Sequence, residues 1–199
     1  METTIYSIGH GTKPIGEFIK ELHSFDIKYL IDVRSSPFSK WASQYNQQEL
    51  KHSVESEEIR YIYMGDVIGG RPQDENCYDE DGYFDYKKMA DVLSFQTGLQ
   101  RLVNANMQHL NIAIMCSESE PSVCHRSKLI GRELYAKYSI NMKHIIDIGK
   151  FISEEQILIT LTKENWRPEG NLFGEVDVPY FKSIKSYKET TNEEDEYYD

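Results

Sequence analysis

"LNIAIMCSESEPSVCHRSKLIGRELYAKY", residues 110–138, decides the fold. Leu110 to Cys116 form a nearly unbroken apolar run, the pattern of a strand covered on both faces. From Glu120 the period changes. Pro121 suits a first helical turn, where its missing N–H costs nothing, and the stretch reads as a helix. A buried strand feeding a helix is half of a βα unit. The junction itself crowds Cys116, Glu118, Glu120, Cys124, His125 and Arg126 together, far more reactive chemistry than a turn needs.

The same alternation extends outward. Residues 3–8, 27–33, 59–64 and 140–149 read as four more strands, β-branched or aromatic and bounded by Gly, Asp or Arg. Between them, "KPIGEFIKELHSF" carries Ile15, Phe18, Ile19 and Leu22 at helical spacing, and "NQQELKHSVES" gives a short helix capped by Asn46. Residues 85–107 carry one or two helices. "RSSPFSKWASQYN", "GDVIGGRPQ" and the acidic segment 73–83 read as loops. The expected architecture is therefore α/β: a mainly parallel five-stranded sheet with helices on both faces, a Rossmann-like or flavodoxin-like three-layer fold. Residues 1–150 form the single domain. Residues 151–188 form an irregular extension packing on the core, with one helix after Ser153. Residues 189–199 form an acidic disordered tail.

The net charge of -11 argues against broad, nonspecific affinity for nucleic acid. Yet Arg34, Lys40, Arg71, Arg126, Lys128 and Arg132 fall near strand ends or helix starts. A cationic pocket in an acidic chain suits a small phosphorylated ligand or a short nucleic-acid segment. No apolar run approaches the ~20 residues of a membrane helix, so no membrane is expected as a partner. No signal peptide is visible, and three cysteines (Cys77, Cys116, Cys124) are an odd count that suits a reducing cytoplasm.

In open α/β sheets ligands bind beyond the carboxyl ends of the strands. Gly9-His10-Gly11, Asp32 and Arg34, Gly70-Arg71, and Cys116-Ser117-Glu118 all stand there. Glu118, two residues past its strand, is placed to act as general base or as nucleophile at an anomeric carbon, with Asp32 as a candidate partner. His125 and Arg126, in the first helical turn, are placed with the backbone N–H groups to hold an anion, and His10 to approach it. Ser117 and Cys124 complete that mouth, and Phe38 and Trp41 are positioned to stack on a base. Cys116 is a candidate thiolate nucleophile. The Cys-x5-Arg loop of thiol phosphatases is absent, since Ser122 and Ile130 stand where the arginine would be. Zinc or another divalent ion fits the ligand types of Cys116, Cys124 and His10 or His125. It does not fit the spacing, and neighbouring Cys124 and His125 would point ~100° apart on a helix. No residue is therefore assigned to a metal.

"YSIGHGTKPIGEFI" (6–19), "IDVRSSPFS" (31–39), "IYMGDVIGGR" (62–71), "DYKKMADVLSFQTGLQRL" (85–102) and "IMCSESEPSVCHR" (114–126) resemble, in order and spacing, the motifs of the domain of unknown function 488 family. The likeness spans roughly residues 3 to 148. Gly11 stands where that family often has Ser, and Val67-Ile68 precedes the Gly-Gly where a Leu is usual. The resemblance implies a compact α/β fold and no particular activity. The residues themselves point to an enzyme on a phosphate-bearing nucleotide, nucleoside or nucleic-acid base, a hydrolase, N-glycosidase-like enzyme or transferase. The alternatives are a noncatalytic nucleotide or anion sensor and a Cys-based thiol or metal enzyme.

Overall fold

A computed structural model describes residues 3–72, 74–163, 165–168 and 178–186. The expected acidic tail at 189–199 and much of the extension lie outside the described residues. In chain order the elements are β1 (Ile5–Gly9), α1 (Ile15–His23), β2 (Tyr29–Asp32), α2 (Gln47–Glu55), β3 (Arg60–Tyr63) and α3 (Gly65–Ile68). They continue with β4 (Tyr83–Asp85), α4 (Tyr86–Ala90), α5 (Leu93–Met107), β5 (Ile112–Cys116), α6 (Arg132–Tyr138), β6 (Lys143–Asp147), β7 (Lys150–Ser153), α7 (Glu154–Leu161) and β8 (Lys182–Ser186).

The central sheet has the order β3-β2-β5-β1-β6-β7. Its first five strands pair in parallel, as expected, and β7 adds an antiparallel edge. The strand expected over 140–149 ends as β6 at Asp147, and β7 is a further strand lying almost wholly in the stretch expected as an irregular extension. Gly149, at φ 68°, turns the chain back after β6, a conformation that costs glycine little. A separate antiparallel pair joins β4 to β8, so the expected extension contributes β8 and most of β7 as well as α7. The segment 65–68, expected as loop, is one helical turn. Among the described residues no helix is long and apolar enough to cross a membrane.

Period-two alternation assigns each strand residue to a layer. Ile5, Ile31, Ile112, Ile114 and Cys116 face a cluster built with Phe95, Leu99, Leu102, Leu129 and Leu134. Ile8, Leu30, Ala113 and Met115 face Phe18, Leu22, Leu50 and Val54. Helices α1 and α2 thus cover one face and α3 to α6 the other, giving three layers. Leu129, fully buried in the first cluster, would leave a cavity costing ~2–5 kcal/mol if cut to Ala.

The registers matter most for function. Gly9 pairs with Cys116, and Asp32 pairs with Met115 and Tyr63. The carboxyl ends of four strands therefore finish at one level.

A candidate active site at the strand ends

The chain leaving β1 continues alongside the chain leaving β5. His10 N donates to Cys116 O at 3.1 Å and Gly11 N to Ser117 O at 2.9 Å. The two glycines allow this approach. A Cβ on Gly9 would lie 2.0 Å from Glu118 O, and one on Gly11 would lie 2.2 Å from Ser119 Oγ. Gly9 and Gly11 thus seat the loop after β5.

Four groups meet behind that loop. Glu118 Oε2 is 3.0 Å from Cys116 Sγ and 3.2 Å from Cys124 Sγ. His125 Nδ1 is 3.9 Å from Cys116 Sγ and 3.7 Å from Cys124 Sγ. Both thiols and the imidazole are buried, while Ser117 and Glu118 are half-buried. Gly70 lies against the imidazole, since a Cβ there would sit 2.8 Å from His125 Nδ1. Arg71 anchors the same loop through its backbone N–H to Ser35 Oγ at 2.9 Å.

This convergence depends on a local structure other than the expected continuous helix. Pro121–Val123 form a 3-10 turn, Cys124 is extended (φ -103°, ψ 150°), and His125 is helical (φ -63°, ψ -18°). The change of backbone between two consecutive residues brings their side chains together. The divergence of ~100° expected on a helix does not apply. Arg126–Gly131 then form a π-helical turn before α6. Such widened turns recur at functional sites. Here the extra room takes the Glu154 carboxylate: Ser127 Oγ donates to Glu154 Oε1 at 3.0 Å, and a Cβ on Gly131 would lie 2.3 Å from Glu154 Oε2.

The cations are close by but engaged. Arg126, 1% exposed, directs Nε to Cys124 Sγ at 3.2 Å and Nη1 to Ser7 Oγ at 3.4 Å, with Nη2 on Glu118 O. Arg34 donates Nε to Asp32 Oδ1 at 2.9 Å and Nη2 to Asp32 Oδ2 at 2.7 Å and to Tyr45 O at 2.8 Å. Tyr61 Oη adds a hydrogen bond to Asp32 Oδ2 at 2.6 Å. Asp32 is fully buried in that pair, on the α1/α2 side of the sheet, whereas Cys116 faces the other side. The structure therefore joins Glu118 to the two cysteines and not to Asp32. Phe38 and Trp41 lie exposed in the loop after Arg34.

The electrostatics follow from this packing. Burial opposes a charge on Cys124, but the hydrogen bond with Cys116, Arg126 and His125 hold its thiol well below the ordinary range. Cys116 moves up, through its hydrogen bond with Cys124 and its own burial. Burial and then the Cys124 charge push Glu118 up. His10 is pushed down to about 4 by burial first and Arg34 second. Its Nδ1 bonds Gly11 O at 2.8 Å, its Nε2 faces Arg34 Nη1 at 3.4 Å, and its ring stacks on Tyr45.

Sequence reasoning missed a fully buried chain behind the site. Ser7 Oγ meets His144 Nδ1 at 2.6 Å, and His144 Nε2 meets Glu154 Oε2 at 2.7 Å. A histidine inside the apolar run "INMKHIIDIG" was the available signal. Glu154 gave none, since an acid after a capping Ser is ordinary in a first helical turn.

A family model described as "Domain of unknown function DUF488" matches residues 14–132, more than half of the chain. No curated protein and no solved structure matches.

Proposed function

We propose, from the premise that the chain belongs to the family described as domain of unknown function DUF488, that it is an enzyme in which Glu118 moves protons during hydrolysis of a small nucleotide, nucleoside or base. One observation carries this reading. The half-buried Glu118 carboxylate touches both buried thiols at 3.0 and 3.2 Å, at the level where the strands end. A carboxylate wanted only as a helix cap would bind backbone N–H groups, as Glu120 does through Ser122 N. Glu118 sits on other reactive side chains, at the position where α/β folds place chemistry.

In this scheme Glu118 takes a proton from the attacking water and returns it to the leaving group. Arg126 supplies positive potential behind it, and the anionic part of a substrate is drawn toward that side. In this scheme the exposed rings of the loop after Arg34, Phe38 foremost, stack on a base. Asp32 works at one remove, by fixing Arg34 against His10. The test begins with a thermal-shift screen of nucleotides, nucleosides and bases, since a specific ligand stabilises the native state. Turnover of each hit is then followed by mass spectrometry. Glu118→Gln should bind the hit as the wild type does and convert it ~10²–10⁴-fold more slowly. Conversion at the wild-type rate would sink the proposal.

A further inference from the structure

Two buried cysteines and an imidazole share one point, and we infer that this point binds a thiophilic divalent ion, zinc in the first instance, through Cys116 Sγ, Cys124 Sγ and His125 Nδ1. These three atoms all lie within 4.8 Å of one another. Tetrahedral zinc, with Zn–S of ~2.3 Å and Zn–N of ~2.0–2.1 Å, needs S···N separations of ~3.6 Å. The observed 3.9 and 3.7 Å are within a few tenths of an ångström of that value. The two sulfurs lie within 4.8 Å of each other, and binding an ion would draw them together.

A hydrogen-bonded thiol pair on Glu118 would account for the two sulfurs and the carboxylate. It would not account for the imidazole. His125 is 7% exposed and aims Nδ1 at both sulfurs. A histidine serving the core would bind a carbonyl or carboxylate, as His144 does. Gly70 packs against the imidazole, where any side chain would press on the ring, so the loop at 69–71 fixes its position. Cys124 Sγ receives N–H groups from the Arg126 backbone at 3.5 Å and from Arg126 Nε at 3.2 Å. Such outer contacts orient a ligand and offset thiolate charge in metal sites.

The ligand set selects the ion. Magnesium and calcium require oxygen ligands, while two thiolates and one imidazole suit zinc and its soft neighbours. Three protein ligands leave a fourth position, the mark of a catalytic rather than a structural zinc. Glu118 stands beside it. Water bound there would pass one proton to Glu118. Its oxygen would form a bond to an electrophilic substrate carbon, and the bond to the leaving group would break as Glu118 returned the proton. Atoms balance as simple hydrolysis, with no change of oxidation state. That use of the ion, unlike the site itself, rests on the acid–base reading of Glu118.

The experiment uses the full chain. Purified protein is stripped with a chelator, titrated with Co²⁺ and Zn²⁺, and assayed for bound metal by elemental analysis. The expected result is one ion per chain and, with Co²⁺, a thiolate-to-metal charge-transfer band. Cys116→Ser and Cys124→Ser should each weaken binding by more than ~100-fold, beyond the effect of losing an outer contact. Cys77→Ser and Glu118→Gln should keep both ion and band. Circular dichroism checks the fold of each variant. If a serine variant does not fold, the wild-type titration alone decides. A wild type with no charge-transfer band, or a band that survives both serine changes, overturns the inference. Glu118→Gln that keeps the ion and still turns substrate over would refute the acid–base reading and leave the ion site standing.

Discussion

His10 gives the account a quantitative handle. Its Nδ1–H donates to Gly11 O at 2.8 Å, which leaves the Nε2 lone pair facing Arg34 Nη1 at 3.4 Å. A proton on Nε2 would set two cations against each other inside the protein. Burial opposes the charge most, and this repulsion from Arg34 adds to it, so the pKa falls from 6.5 to about 4. At ~1.4 kcal/mol per pH unit the difference amounts to ~3 kcal/mol. The sign is fixed by proton binding: between pH 6.5 and 4 the unfolded chain binds a proton at His10 that the native state refuses. Stability from this residue is therefore complete above pH 6.5 and is lost as pH falls toward 4. His10→Asn keeps a donor near Gly11 O but cannot titrate. Urea denaturation of both proteins, with chelator present, should be run at half-unit steps from pH 7.5 to 4. The wild type should lose ~3 kcal/mol more than His10→Asn across that range. A stability difference that stays constant with pH would refute the assignment of a neutral histidine held against Arg34.

Three further outcomes follow from contacts in the same region. Arg34→Leu strands the fully buried Asp32 carboxylate and should cost ~3–5 kcal/mol in urea denaturation, whereas Asp32→Asn with Arg34→Leu should recover part of that loss. Gly70→Ala places a methyl 2.8 Å from His125 Nδ1 and should displace the imidazole, lowering turnover or metal affinity at least ~10-fold while changing unfolding free energy by less than ~1.5 kcal/mol. Gly131→Ala intrudes to 2.3 Å from Glu154 Oε2 and should cost ~1–3 kcal/mol by overpacking, seen as a lower urea midpoint with an unchanged slope.

Much of this architecture was legible in the chain, for a physical reason. Strands buried on both faces must be continuously apolar, so β1, β2, β3 and β5 announced themselves. What came after each strand was then a short list of polar residues with a shared address. The junction after β5 yielded its residues but not its shape. Helical propensity and Pro121 both favoured an unbroken helix, and nothing local reported that Cys124 would be extended or that a π-helical turn would follow, packed against the sequence-distant Glu154. Charges were harder still. Arg34 and Arg126 read as anion binders from their place in the chain, yet each is engaged by partners that only tertiary packing supplies: Asp32 with Tyr45, and Cys124 with Ser7. The glycines of Gly9-His10-Gly11 stood among the residues expected to meet a ligand. The neighbour they approach is the loop at Glu118 and Ser119.

The claim beneath all of this is spatial: the ends of β1 and β5 and the turn after β5 deliver Cys116, Glu118, Cys124 and His125 to one point. A crystal structure of zinc-loaded protein, with anomalous data at the zinc edge, measures that directly. It should show a single peak ~2.3 Å from both sulfurs and ~2.1 Å from His125 Nδ1, with the Glu118 carboxylate beside it. A peak elsewhere, with the two sulfurs turned apart and Glu118 directed into solvent, would contradict the account.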